Sequence, residues 1–131
     1  MGMPAAKQLD TIIAVDTHIT MVPAGPSLVP VPLPYPFSGI IDSGLSADVF
    51  INGLPAATVD STGTNTPPHI PMGASFQTPP SNIGKIIKGS VTVSINGKQA
   101  ARAGDIAETC NDPTDLPVGV VVAISNVMIG G

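Results

Sequence analysis

The only two histidines and the only cysteine of this 131-residue chain occupy related positions. His18 and His69 each lie 13 residues after the first alanine of an Ala-Ala pair, and each begins a His-Ile-x-Met sequence. Cys110 lies ten residues after the first alanine of a third pair. Two imidazoles and one thiolate are ligands that Zn²⁺ prefers. The spacing therefore predicts a closed, structural metal site made of His18, His69 and Cys110.

Other interpretations of these three residues stay open. A lone buried cysteine is usually a small hydrophobic residue, and a histidine at a turn is usually a hydrogen-bonded surface residue. A catalytic zinc is disfavoured, because the chain has no His-Glu motif that would place a general base beside the metal. A disulfide within the chain is excluded by the single cysteine.

The alanine pairs belong to a repeated unit. Residues 49–60 and 93–105 each contain an apolar-polar alternation that ends in Asn-Gly and is followed by a pair of alanines. This pattern predicts a strand, a tight turn, a short strand and a second turn. We expect the carboxylate of Asp60 or Asp105 to accept backbone N–H groups in that second turn. The small alanines indicate a place where neighbouring backbones approach closely.

A third copy of the unit is divided between the two ends of the chain. Residues 127–131 supply its strand half, and residues 1–10 supply its Pro-Ala-Ala half. Repeats of this kind bury their apolar faces only against one another. The sequence therefore predicts a single all-β domain, residues 1–131, of three pseudo-threefold repeats with Pro- and Gly-rich loops, the third repeat completed by both termini.

Composition excludes several classes of partner and structure. With 43% hydrophobic and 11% charged residues the chain should fold, and its five Lys and Arg are too few and too scattered for nucleic acid. A mean hydropathy of +0.37 predicts some apolar surface that is either exposed or covered by a partner. Residues 23–37 have proline at nearly every second position, which predicts an extended, PPII-like connecting loop at the surface. Gly and Pro interrupt most windows long enough for a helix.

The repeated Pro-Ala-Ala and Ala-Ala-Arg motifs, the Gly-Asp after the last of them, and the single His or Cys near the end of each repeat resemble PAAR-repeat proteins. Members of this family are tip proteins of contractile injection systems, such as type VI secretion systems and phage-tail-like particles. The resemblance implies a small conical β domain that binds zinc near its apex and caps a trimeric β-helical spike. His18, His69 and Cys110 match the zinc ligands of that pattern.

The chain departs from the family at the fourth ligand, which is most often another histidine. Asp112, Asp16 or water is available to take that place here. The resemblance implies a structural, membrane-puncturing tip and not an enzyme. A stand-alone zinc-binding adaptor that recruits effector cargo, or a small zinc hydrolase, are the alternatives.

The resemblance also sets expectations for partners and location. We expect one chain to bind one trimeric spike, a 1:3 complex, with effector proteins as further partners and transient contact with the target membrane. No apolar run is long enough for a membrane span or a secretory signal. The expectation is therefore assembly in the bacterial cytoplasm, followed by export at the tip of the injection apparatus.

Overall fold

The computed structural model of the chain describes residues 2–131, and it confirms the predicted all-β fold. No helix occurs in that range, so none is available to cross a membrane. The strands are β1 (Met3–Pro4), β2 (Thr11–Ala24), β3 (Ser27–Ser43), β4 (Phe50–Ile51), β5 (Leu54–Pro55), β6 (Thr62–Asn65), β7 (Ser75–Phe76), β8 (Ile83–Ile86), β9 (Ser94–Ile95), β10 (Lys98–Gln99), β11 (Ile106–Thr109), β12 (Leu116–Val122) and β13 (Met128–Ile129).

Six strands form a closed antiparallel ring. Its order is β12, β11, β8, β6, β3 and β2, and β2 pairs back with β12. Because the last strand pairs with the first, the ring leaves no free edge along these paired segments. The short β7 adds to the outside of β2 at Thr20 and Met21. The ring is the scaffold on which the other elements lie.

Three short hairpins, one from each repeat, have equivalent registers. Ile51 pairs with Leu54, Ile95 pairs with Lys98, and Ile129 pairs with Met3. The strand β13 at the C-terminus therefore completes a hairpin with β1 at the N-terminus, as the divided repeat predicted. The three isoleucines are buried together in one hydrophobic cluster with the first alanine of each pair.

The second alanines of the three pairs form a closed ring of backbone hydrogen bonds, here called the alanine ring. Ala6 N–H donates to the carbonyl of Ala101 at 2.9 Å, Ala101 N–H to Ala57 at 3.1 Å, and Ala57 N–H to Ala6 at 3.0 Å. All three residues are almost completely buried. Three backbones meet here, so a larger side chain would have to displace one of them. This is the pseudo-threefold closure that the repeats predicted.

The second turn of the unit follows the prediction in one repeat and departs from it in another. Asp105 accepts the N–H of Arg102 at 2.7 Å through its carboxylate. In the second repeat Ser61, not Asp60, does this, with its hydroxyl oxygen 2.9 Å from the N atom of Thr58. The expectation for Asp60 was wrong by one residue. Asp60 instead occupies the position of positive φ (77°), and its side chain is exposed.

The Pro-rich segment, residues 23–37, is extended and largely exposed, but the PPII-like loop was a wrong prediction. The segment lies in β2 and β3, which form one hairpin with every residue from Thr11 to Ala24 paired. Gly25, at φ 63°, and Pro26 make its two-residue turn between Ala24 and Ser27. Prolines at alternate positions are compatible with this pairing because they share one edge of the strand.

The side chains inside the ring change from apolar to polar with distance from the hairpins. Next to the hairpins it is filled by small and branched apolar residues, among them Ile12, Ile41 and Ile86. Phe37 then spans the narrow interior, where Cβ atoms added at Gly39 and Gly84 would lie 2.7 and 3.1 Å from its ring. Beyond Phe37 most of the buried residues are polar, among them Asp16, His18 and Thr20.

Candidate metal centre

Strand β2 carries three of the polar residues in this part of the interior. Its even-numbered positions face inward, because successive side chains of a strand point to opposite faces. Ile12 occupies one of these positions beside the apolar core, and farther along the strand come Asp16, His18 and Thr20, each no more than 1% exposed. The alternation that builds a hydrophobic core at one end of β2 therefore places a carboxylate and an imidazole in the interior at the other end.

The second and third repeats supply one residue each. His69 lies in the loop between β6 and β7, and Cys110 follows the last residue of β11. One ligand-type atom from each of Asp16, His18, His69 and Cys110 lies within 4.8 Å of all the others. The structure thus brings together the three residues that the spacing singled out, and it adds Asp16 to them.

Asp16 is the central member of this cluster. Its Oδ2 atom lies 2.9 Å from His69 Nε2, 4.0 Å from His18 Nε2 and 3.4 Å from the Sγ of Cys110, whose thiol donates to it. Its other oxygen, Oδ1, accepts a hydrogen bond from the hydroxyl of Thr109. One carboxylate oxygen is therefore fixed by a neutral donor, while the other faces all three remaining residues.

Asp112 lies on a different side of His18. Its Oδ2 atom is 3.4 Å from His18 Nδ1, and it accepts the backbone N–H of Ile19 at 2.8 Å. Asn111, next to it, accepts the N–H of Thr17 at 2.7 Å through its side chain. This segment of the third repeat therefore closes the outer edge of β2. Asp112 sits beside the histidine ring but away from the oxygen of Asp16 that the cluster surrounds.

The four residues fit a metal ion on chemical grounds. Both ring nitrogens of His18 are buried, and neither makes a hydrogen bond. Buried polar atoms without a partner cost free energy, and a metal bound to one of the nitrogens would remove that cost. Four ligands bound tetrahedrally at zinc distances lie about 3.3–3.8 Å apart, close to the separations around Asp16. The donor set is two imidazoles, a thiol and a carboxylate.

The protonation state of the Cys110 thiol depends on whether a metal ion is bound in the cluster. Burial and, to a smaller extent, the charge of Asp16 together raise the pKa of this thiol to about 11. The metal-free protein therefore holds a neutral thiol at pH 7. A metal ion would have to displace this proton, so that binding is accompanied by proton release.

Two asparagines, which the sequence analysis missed, hold His69 in place. Asn82 Oδ1 accepts the backbone N–H of His69 at 2.9 Å and the amide of Asn65 at 3.1 Å. Asn65 Nδ2 in turn lies 3.3 Å from His69 Nδ1, which leaves Nε2 directed at Asp16. Neither asparagine recurs at an equivalent position of another repeat, so the internal repeats contain no signal for them.

Aromatic side chains enclose the two histidines. Tyr35 and Phe76 have ring centroids 5.8 and 5.7 Å from that of His18, and Phe37 is 6.1 Å from His69. The Tyr35 hydroxyl is hydrogen-bonded to Thr20, whose hydroxyl donates to the carbonyl of His18. This wall excludes water from one side of the cluster and fixes the backbone of β2 at the histidine.

The C-terminal part of the chain matches a known family. Residues 77–131 match the model of the PAAR motif, a range that contains the third alanine pair and Cys110. No curated protein is similar enough to the whole chain to count as a relative. The match is consistent with the all-β fold. It confirms the resemblance drawn from the sequence: the chain carries a PAAR motif over residues 77–131, as PAAR-repeat proteins do.

Proposed function

We propose that this chain is the tip protein of a contractile injection system, where it caps and sharpens a trimeric spike and helps to pierce the target membrane. The observation that carries the proposal is the PAAR motif, which supports a spike-tip role in such systems generally. The threefold alanine ring adds to it, because one such chain can sit coaxially on three identical subunits. Assembly in the bacterial cytoplasm, export at the tip and association with effector proteins belong to the same proposal.

The three hairpins are the surface that would meet the spike. Phe50 and Met128, at equivalent positions of two hairpins, are 57% and 60% exposed, whereas the third hairpin has Ser94 there. A partner with exact threefold symmetry would then contact two apolar hairpins and one polar hairpin. Apolar side chains left exposed on a small domain are typical of surfaces that a partner covers.

Native mass spectrometry of the chain co-expressed with its cognate spike tests this role. We expect one chain per spike trimer. Phe50→Asp should weaken the complex, and Ser94→Asp, the matched change at the polar hairpin, should weaken it less. A 3:3 stoichiometry, or no complex with the cognate spike, would overturn the spike-tip role.

The metal that we propose for the cluster is a structural zinc ion bound by His18, His69, Cys110 and Asp16. When bound, zinc would act as a cross-link, since these residues come from three different repeats of the chain. Asp16 is the preferred fourth ligand because its Oδ2 atom faces the other three residues, whereas the Oδ2 atom of Asp112 is engaged by the N–H of Ile19 and lies outside the cluster. Four protein ligands fill a tetrahedral zinc site and leave no position for a reacting water. That supports a structural protein over a zinc hydrolase.

The fourth ligand is tested by comparing Asp16→Asn with Asp112→Asn. Elemental analysis of protein purified without chelator should give one zinc per wild-type chain. Asp112→Asn removes only an outer contact and should lower zinc affinity by about 10–100-fold at most. Asp16→Asn should lower it further, and it should change the visible spectrum of the cobalt-substituted protein. Unchanged affinity and spectrum in Asp16→Asn would exclude Asp16 as a ligand, and a wild-type chain without metal would exclude the site.

A further inference from the structure

The β2–β3 hairpin continues past the metal cluster as a two-stranded ribbon, residues 22–32. His18 pairs with Leu33, and six further pairs follow before the turn, the last of them Ala24 with Ser27. At about 3.3 Å per residue these pairs extend roughly 20 Å from the cluster. The strand β7 covers only the first part of this length, at Thr20 and Met21. The ribbon therefore projects from the end of the molecule opposite to the repeat hairpins.

The side chains of the ribbon are almost entirely apolar and lie in contact with solvent. Ser27 is the only residue of 22–32 with a polar side chain. Leu28 and Val29, next to the turn, are 48% and 38% exposed. Exposed apolar side chains at the tip of a narrow hairpin have no core to pack against. Packing in a hydrophobic core therefore does not account for apolar side chains at these positions.

Charge is also absent from the sequence around the ribbon. Residues 17–41 and 61–84 contain no Asp, Glu, Lys or Arg, although the chain has 14 such residues. In the third repeat, Asp112 and Asp115 lie beside His18 at the level of the cluster. Counting from the turn of the ribbon, the first charged side chains therefore lie at the level of the cluster and not on the ribbon.

The two outward edges of the ribbon have few N–H donors, because prolines occupy most of their outward positions. Ser38 of β3 directs its N–H outward to Asn65, and Ile19 of β2 directs its N–H outward to Asp112. Since hydrogen-bonding direction alternates along a strand, even positions of β3 and odd positions of β2 face outward. The outward positions of the ribbon are Pro23, Leu28, Pro30 and Pro32, of which only Leu28 has an amide hydrogen.

These edges decide between two kinds of partner. A protein that extends the sheet needs outward N–H donors, and proline has removed nearly all of them. Burial in hydrocarbon has the opposite requirement, because every unpaired N–H or C=O carried into the bilayer costs free energy, and proline lowers that cost by leaving only the outward carbonyls. An uncharged ribbon with apolar side chains, whose outward edges keep their carbonyls but have almost no N–H groups, is better suited to hydrocarbon than to strand pairing with a protein.

We propose that residues 22–32 form a lipid-inserting ribbon, which enters the hydrocarbon of a bilayer by its Gly25-Pro26 turn. The apolar side chains of Leu28 and Val29 enter first. Insertion stops near the cluster, where Asp112 and Asp115 carry the first charges. The inference rests on the proposed spike-tip function, and it assigns the contact with the membrane to one segment of the chain.

Because the chain contains no tryptophan, a single introduced one reports only on its own position. Leu28→Trp places it at the ribbon, and Val118→Trp places the matched control on the outside of β12, where Val118 is 43% exposed. With phosphatidylcholine vesicles, Trp emission from Leu28→Trp should move to shorter wavelength and be quenched by bromine-labelled acyl chains. Emission from Val118→Trp should not change. An unchanged spectrum in Leu28→Trp, or equal changes in both variants, would overturn the proposal.

A charge on the ribbon gives a second, independent measurement. Val29→Lys should lower the vesicle partition coefficient roughly tenfold or more, because an ammonium group is costly in hydrocarbon. Val118→Lys should leave it unchanged. Equal partition of Val29→Lys and the unaltered chain would overturn lipid insertion, and so would loss of the spike complex in Val29→Lys, since the ribbon would then be a protein-docking surface. Failure of the unaltered chain to bind any spike, with insertion intact, would instead contradict only the spike-tip function.

Discussion

The alanine ring and the metal cluster are built by the same three repeats in opposite ways. In the alanine ring each repeat contributes the same residue, Ala6, Ala57 or Ala101, through the same backbone groups. In the cluster the first repeat contributes both Asp16 and His18, and the other two contribute one residue each. The repeats are thus nearly identical at one end and different at the other.

The difference follows from what each region requires. A ring of backbone hydrogen bonds needs only that no side chain keeps the three strands apart, so the same small residue serves in every repeat. A metal site needs several donor atoms directed at one point, and segments that leave the ring at different heights reach that point with different residues. Symmetry persists where backbone groups or identical apolar side chains make the contact, and it is lost where donor atoms of different side chains must meet at one point.

The largest expected effect is a break in the alanine ring. Ala57→Leu puts a large side chain where both backbone groups of the residue are hydrogen-bonded and nothing is exposed. Overpacking of this kind should lower the free energy of unfolding by about 3 kcal/mol or more. Denaturant unfolding measures it, with Ala47→Leu at an exposed position as the control. The loss should persist when zinc is added, and recovery with zinc would show that the two regions are not independent.

A smaller loss is expected when the metal cluster is broken. His69→Ala combined with Cys110→Ser removes two of the four donors, and the melting temperature should fall to that of the chelator-treated wild-type chain. Zinc at a hundred times its dissociation constant stabilises a folded protein by about 2.7 kcal/mol. Chelator should have no effect on the double variant, and Thr64→Ala, an exposed change on β6, should behave as wild type. Metal retained by the double variant would contradict the site.

Circular permutation separates the two regions without changing a side chain. Met3 and Ile129 are paired, so Gly131 can be joined to Met1 by a short linker. A chain opened between Gly25 and Pro26, at the exposed turn, should keep its zinc affinity. A chain opened between Pro79 and Pro80 should fold but bind zinc more weakly.

The second permutant should bind zinc more weakly because its new ends lie beside the donor residues. Pro79 and Pro80 line the same depression as His18 and Cys110, so a break there loosens the segment that holds the donors. Circular dichroism and zinc titration of the two permutants distinguish the effects. Failure of both permutants to fold, with the linker checked for strain, would show that the termini cannot complete the third repeat.

The smallest expected effect is a dependence of stability on alkaline pH in the metal-free protein. The folded pKa of Cys110 is raised to about 11 from an ordinary value of 9.0, so the folded state holds the thiol proton more tightly than the unfolded state. This contribution is complete below about pH 9 and is lost as the pH rises through about 11. Chemical unfolding of the chelator-treated chain across this range should show the decline. Cys110→Ser should not show it, and an equal decline in that variant would assign it to other groups.

Much of the fold could be predicted because its repeats are local. An alternating strand followed by Asn-Gly predicts a hairpin from residue types alone, and Asn52 and Asn96 have the positive φ values, 50° and 52°, that such turns need. The common spacing of His18 and His69 was enough to connect them to one site. The division of the third repeat between the termini was visible because its two halves match the other copies.

The sequence by itself determined the repeats, the all-β class and the three residues that meet near the aromatic wall, because each depends on residue types at fixed spacing. Tertiary structure alone placed Asp16, and not Asp112, in the cluster, since both lie two residues from a predicted ligand and only the packing of β2 turns Asp16 toward the other three residues. It also decided that Pro23 and the alternating prolines of residues 30–36 lie in a paired hairpin. Local preference favours an isolated extended chain there, and hydrogen bonds to a distant partner strand override it.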